Sequence, residues 1–132
     1  MTSIVLDSHA LLALFRNESA AGAVESILAN AVALQLPVLM TEVNYAEVQY
    51  IVRRKDGDAA WQKIVHSLPS APIKFYPADR TLADLAADFK ARFSLGLADA
   101  FAAALAKEKN AELVTGDPEF KALDKEIKIN WL

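Results

Sequence analysis

The sequence contains no cysteine among its 132 residues. That absence excludes a disulfide framework, a thiolate zinc site and a thiol nucleophile, and it fits a reducing compartment. Long apolar runs are missing too. The longest, Leu97–Ala106, is interrupted by Asp99 and is well short of the roughly 20 residues that a membrane-spanning helix needs. Met1–Leu6 is too short and too uncharged for a secretion signal. The expectation is a cytoplasmic protein with no membrane association. Nor is there an excess of positive charge: the formal net charge is −3. Nucleic-acid binders are usually basic, so the balance counts against nucleic acid at first sight. A cluster of carboxylates serving a hard metal would bias the count the same way, and local basic patches can still meet a phosphate backbone. There is no internal repeat, low-complexity tract or Pro/Gly/Ser-rich linker. With this length, one domain over residues 1–132 is expected.

What is present is apolar: 54% of residues are hydrophobic, enough for a sizeable core, and 23% are charged. Short β-like runs alternate with helical stretches, which predicts an α/β fold with a central, mostly parallel β-sheet flanked by α-helices. Strands are predicted at Ser3–Leu6, Pro37–Met40, Ile73–Tyr76, Glu112–Thr115 and Ile127–Asn130. Helices are predicted at His9–Phe15, Ala20–Ala33, from the N-cap Thr41 through Arg54, Ala59–Leu68 with Asp58 as its cap, from the cap Asp79 to about Phe93, Leu97–Lys109 and Pro118–Leu123.

Four carboxylates stand in unusual places. Asp7 directly follows the first strand, where open α/β sheets bind their ligands; it also suits a helix N-cap. Asp117 follows Glu112–Thr115 and Gly116, again just past a strand, although Asp-Pro after Gly is also an ordinary turn. In Leu97–Ala106 every residue but Asp99 is apolar, so its helix is buried on most faces. An isolated buried carboxylate costs several kcal/mol unless paired or metal-bound. The competing reading is a capping Asp in the first helical turn, favoured by the helix dipole. Glu47 has Val43, Tyr50 and Ile51 as helical neighbours, within an apolar stripe; otherwise it is a rim residue paired with Arg53 or Arg54. Together these positions suggest one acidic pocket. Clustered carboxylates raise each other's pKa unless a cation is present, and all-oxygen donors suit Mg²⁺ or Mn²⁺.

At this point the motifs resemble a known family. The opening Ile4–Phe15 (IVLDSHALLALF) is similar to the start of a PIN domain. Asn44-Tyr45-Ala46-Glu47 resembles the Asn-x-x-Glu of VapC-like toxins. Leu97–Ala106 is similar to the helix bearing that family's third acid, and Thr115-Gly116-Asp117-Pro118-Glu119-Phe120 to its closing Thr-x-Asp-x-x-Phe. The resemblance implies a PIN-like parallel sheet flanked by helices, with Asp7, Glu47, Asp99 and Asp117 as catalytic, metal-binding acids holding Mg²⁺ or Mn²⁺. Thr115 matches the hydroxyl residue that positions water or substrate, and Ser8 the small hydroxyl position after the first acid. Glu119 stands where many relatives have Asp and reads as an auxiliary outer acid. The resemblance further implies hydrolysis of RNA phosphodiesters by a toxin of a VapBC-type toxin–antitoxin pair. Its expected partners are an RNA substrate, an inhibiting VapB-like antitoxin and a second copy in a homodimer.

Other residues have plainer readings. His9 reads as a surface or helix-facing residue and His66 as a helix-end residue. Arg16, Arg53, Arg54, Lys55, Arg80 and Arg92 are candidate phosphate contacts, with a solvated helix end as the simpler account of Arg53–Lys55. Trp61, Phe89, Phe93 and Phe101 are spaced as core or interface residues rather than as stacking platforms for bases. Two alternatives remain open: a catalytically inactive PIN-like module that binds RNA or protein, and an unrelated α/β enzyme in which Asp7 is a nucleophile. The second usually wants a Lys after a later strand, where this sequence has Thr115-Gly116-Asp117.

Overall fold

The computed structural model describes residues 3–132, so the reading of Met1–Leu6 as no secretion signal falls partly outside the described residues. Five short strands form one sheet: β1 (Ile4–Leu6), β2 (Val38–Thr41), β3 (Ile73–Tyr76), β4 (Glu112–Thr115) and β5 (Lys128–Trp131). Their order is β3-β2-β1-β4-β5 and every neighbouring pair is parallel. Parallel strands must be covered on both faces, which is why the inner ones read as unbroken apolar runs. All four residues of β2 are buried.

The helices are α1 (Ser8–Phe15), α2 (Ala21–Leu34), α3 (Glu42–Asp56), α4 (Asp58–Ser67), α5 (Arg80–Arg92) and α6 (Leu97–Glu108). Alternate strand residues feed opposite layers, as the two-residue period of a strand requires. Val5, Leu39 and Leu113 pack with Phe89 of α5 and the alanines of α6. Leu6, Val38 and Val114 pack with Ala10 of α1 and Val24 of α2. Met40 joins Leu11, Val48, Val52 and Trp61 beneath α3 and α4. Small side chains let α6 sit deep: Ala98, Ala100, Ala102, Ala103, Ala104 and Ala106 are all buried, and six alanines allow close approach from every side.

Strand order fixes where a site can form. The chain builds β1, β2 and β3 in one direction, then returns to place β4 on the other side of β1. The boundary between β1 and β4 is therefore the topological switch point, and the crevice beyond the carboxyl ends of those two strands is the natural ligand site. Asp7 leaves β1 there, and Thr115 ends β4.

Local differences from the sequence expectations have simple causes. Asp58 does not cap α4. Gly57, at φ 93°, takes the cap position and Asp58 is the first helical residue, with its carboxylate accepting from Arg53 Nε at 2.8 Å instead. Only glycine reaches that backbone conformation without strain, so the predicted break around residues 55–58 contracts to one residue. Thr41 is both the last residue of β2 and the N-cap of α3, its hydroxyl accepting from Asn44 N at 3.0 Å. Pro118–Leu123 is helical but of the tighter 3₁₀ kind, and a second 3₁₀ turn spans Leu68–Ser70. The last strand lies one residue further on than expected, at Lys128–Trp131. Among the described residues no helix is long and apolar enough to cross a membrane.

Candidate active site

Asp7 is fully buried and serves two elements at once. One carboxylate oxygen caps α1 by accepting from Ala10 N at 2.8 Å; the other accepts the Thr115 hydroxyl at 2.5 Å. The Thr115 oxygen accepts in turn from Asp117 N at 3.0 Å. This chain of bonds ties the end of β1 to the end of β4 across the switch point. Burial pushes the Asp7 carboxyl up to about 6, against the lowering effect of the Thr115 and Ala10 bonds and of His9 nearby; Asp117 adds a smaller push upward.

Asp99 projects from the first turn of α6. It does not cap that helix: Gly96 holds the cap position, with no side-chain bond. Its carboxyl is pushed up to about 7, first by burial and then by the charges of Asp117, Glu47, Asp7 and Glu119. Those four acids come from the end of β1, from α3 and from the segment after β4, so one carboxyl senses all of them. Asp99, Asp117 and Glu119 form the tightest group: each offers an oxygen, and the three lie within 4.8 Å of one another. Glu119 owes this to the 3₁₀ turn that Asp117 opens by accepting Glu119 N at 2.9 Å.

Glu47 is half-buried on α3. The sequence alternative, pairing with Arg53 or Arg54, is not what the structure holds. Arg53 pairs with Asp58 and Arg54 lies over the Tyr50 ring. Among the described residues no Lys, Arg or His forms a salt bridge with Asp7, Glu47, Asp99, Asp117 or Glu119. Several candidate phosphate contacts are also engaged: Arg16 with Asp56 and Glu18, Arg92 with Asp88 and Glu126.

Asn44 is the residue whose part the sequence reading did not assign. Its side chain is fully buried and every polar atom of its amide is used. Nδ2 donates to Ser8 Oγ at 3.0 Å and to the Ala98 carbonyl at 3.1 Å, while Oδ1 accepts the Thr41 hydroxyl. Ser8 Oγ donates back to the Asn44 carbonyl at 3.3 Å. A backbone carbonyl only accepts, so the Ala98 contact fixes which way the amide faces. Ser8 follows Asp7, Asn44 lies one helical turn before Glu47, and Ala98 precedes Asp99. One amide therefore holds the three elements that carry those acids. A signal was visible: a polar Asn at the start of an apolar stripe, three residues after a capping Thr.

The donor chemistry fits a hard divalent cation. All candidate ligands are carboxylate oxygens, they repel one another, and among the described residues no Lys or Arg forms a salt bridge with them. Asp7 and Asp99 would be held ionised by such a charge.

Comparison with known proteins agrees with this fold. A family model described as the PIN domain matches residues 4–126. The chain belongs to the PIN-domain family. No curated relative matches the sequence. Among solved structures, the DNA-bound VapBC of Salmonella typhimurium superposes with a TM-score of 0.77 at 17% identity, covering 98% of both chains. VapBC2 of Rickettsia felis, bound to a promoter DNA fragment, gives 0.75 at 17% identity, again over 98% of both. VapC20 of Mycobacterium tuberculosis, described as a Sarcin-Ricin loop cleaving toxin, gives 0.72 at 19% identity over 91% of this chain and 94% of that one. At such identities the likeness is one of fold.

Proposed function

We propose that this chain is a divalent-metal-dependent endoribonuclease, the toxin of a VapBC-type pair, kept inactive by a VapB-like antitoxin. The observation that carries the nuclease reading is the trio of carboxylates at the switch point, within 4.8 Å of one another and, among the described residues, without a salt-bridge partner. The toxin reading is supported by the fold it shares with a toxin described as cleaving the Sarcin-Ricin loop and with VapBC complexes.

Asp99 and Asp117 would hold Mg²⁺ or Mn²⁺, with Glu119 completing the close group. Asp7 would contribute the lone pairs that Ala10 and Thr115 leave free. Glu47 would bind metal or orient the attacking water. When bound, the ion lowers the pKa of a coordinated water and neutralises charge on the phosphate oxygens. Thr115 keeps Asp7 in place and holds the turn to Asp117. Asn44 keeps α3 and α6 in register. As a member of a VapBC pair the protein would act in the cytoplasm, and a homodimer is the assembly we expect.

The test is RNA cleavage by the purified chain with Mg²⁺ or Mn²⁺. Cleavage should stop with EDTA and fall at least about 100-fold in Asp99→Asn, in line with the loss of a charge acting on the reacting groups. Cleavage that survives both removes the metal mechanism. RNA binding without cutting would instead favour a PIN-like binding module. For the toxin reading, a small neighbouring gene product should bind this chain and suppress its activity; analytical ultracentrifugation tests the dimer.

A further inference from the structure

Beside the acids lies a second feature that the proposed chemistry does not use. Gly116, Pro118, Lys121, Asp124 and Trp131 line an open cleft of about 340 Å³, within the roughly 300–1,000 Å³ of small-ligand clefts. Its wall is continuous with the site, since Gly116 joins Thr115 to Asp117. Its far side is the edge strand β5, whose Trp131 pairs in register with Thr115 and whose position is fixed by Leu132 N donating to the Thr115 carbonyl at 2.9 Å.

Trp131 is 45% exposed, unusual for a side chain that is mostly buried on average. The other tryptophan, Trp61, is in the core against Tyr45. Tyr50, similarly exposed, is already covered by the Arg54 guanidinium. Among the described residues Trp131 has no aromatic or cationic partner. Lys121 forms no salt bridge among the described residues either, even with Asp124, three residues further on and lining the same cleft. An unused indole face and an unused ammonium group, in a cleft whose Gly116 adjoins Asp117 of the proposed nuclease site, are the two elements with which proteins hold single-stranded nucleic acid: a stacking platform and a phosphate contact.

We propose that this cleft is a nucleotide subsite: a base of single-stranded RNA flanking the cut stacks on Trp131 while its phosphate meets Lys121. The subsite rests on the nuclease reading, because only a strand threaded through the acids is delivered to it. Asp124 lines the same cleft and disfavours a phosphate beside it, which leaves the backbone to Lys121 and the base to Trp131. Stacking is tolerant of base identity, so the subsite contributes affinity and register more than sequence choice.

The experiment uses the full chain carrying Asp99→Asn, a fluorescein-labelled single-stranded 12-nucleotide RNA of mixed sequence, and two readouts, fluorescence anisotropy and tryptophan emission. With only two tryptophans in the chain, the RNA-dependent emission change that disappears in Trp131→Phe belongs to Trp131. RNA should quench it. Trp131→Ala should weaken binding roughly 5- to 100-fold, the range for one stacked base, and Trp131→Phe should restore most of the affinity. Lys121→Gln should lower the slope of log affinity against log salt by about one counterion. RNA binding at full affinity by a Trp131→Ala protein with an unchanged melting temperature overturns the subsite and leaves the nuclease reading intact. So does a Trp131 signal that answers a bound protein but not RNA. Failure of the unlabelled parent chain to bind or cut any RNA overturns both.

Discussion

The Thr115 hydroxyl donates to Asp7 Oδ2 at 2.5 Å, joining residues 108 positions apart in sequence. Because that bond lowers the Asp7 carboxyl against the upward push of burial, its loss should raise the Asp7 pKa further. Thr115→Val is expected to reduce ribonuclease activity about tenfold and to move the acidic limb of the pH–rate profile to higher pH. Thr115→Ser, which keeps the donor, should restore both. An unmoved limb in the Val variant would show that Thr115 does not act through Asp7. The stability cost of Thr115→Val should be about 1–3 kcal/mol, the usual range for stripping a buried partner from a polar group, measured by urea unfolding.

Asn44 makes a second prediction. Asn44→Ala leaves the Thr41 and Ser8 hydroxyls, all buried, without their amide partner. A loss of about 2–4 kcal/mol is expected. Asn44→Asp keeps the shape but puts a carboxylate oxygen where Nδ2 donated to both the Ala98 carbonyl and Ser8 Oγ, so it should be tolerated better at pH 4 than at pH 8. Thermal melts at the two pH values distinguish lost bonds from added charge.

The acids also predict how stability follows pH. Asp7 and Asp99 have carboxyls raised from 3.8 to about 6 and about 7 in the fold. The folded chain therefore holds more protons than the unfolded chain between about pH 4 and 7. The contribution is fully present below the unfolded value and is lost as pH rises through the folded ones. Metal-free protein should melt at a higher temperature at pH 5 than at pH 8. The ion pairs that hold Asp56 and Glu126 below their usual values work the other way, but outside this window, at more acid pH. Adding Mn²⁺ should raise the melting temperature most at pH 8, where the repulsion it relieves is greatest.

Asp99→Asn follows from the same charges. It removes the carboxylate on which four others act, so the metal-free variant should be more stable than the parent at pH 8 while losing cleavage. A gain of about 1 kcal/mol is a reasonable scale for function carried at the expense of stability. Differential scanning calorimetry at pH 8 with EDTA checks it; a destabilised variant would mean that the Asp99 charge is already balanced.

Gly116 permits a milder test. A Cβ there would lie 2.6 Å from His9 Nε2. His9 is exposed, so its ring can turn away, and Gly116→Ala should cost under about 1 kcal/mol. The ring's displacement would be visible as a changed His9 imidazole resonance by NMR, and His9→Ala should abolish the cost.

Much of this architecture was legible in the sequence. The short strands and the helical stripes were read within a residue or two, because burial on both faces and one-sided burial leave different periods. Asp99 was legible as one charge inside an apolar run. The parallel sheet order was expected only as a class; which strand neighbours which depends on packing summed over the whole chain. Glu119 reads as an outlying acid in the sequence because it replaces an Asp of the resemblance, and a predicted helix at Pro118–Leu123 does not show that its tighter 3₁₀ form brings that carboxylate within 4.8 Å of Asp99 and Asp117. Asn44 read as part of a motif, and its three partners come from positions 36 and 54 residues away and from the cap beside it. Trp131 carried no periodic signal at all on a four-residue edge strand.

Asp7 closes the amino end of α1 with the same carboxylate that faces the other acids. Inactivation at that position would loosen a helix, whereas inactivation at Asp99 would relieve a strain. A lineage released from the need to cut would be expected to shed Asp99 early and to keep Asp7 long after its chemistry had gone, so the first acid alone is a poor sign of a working enzyme.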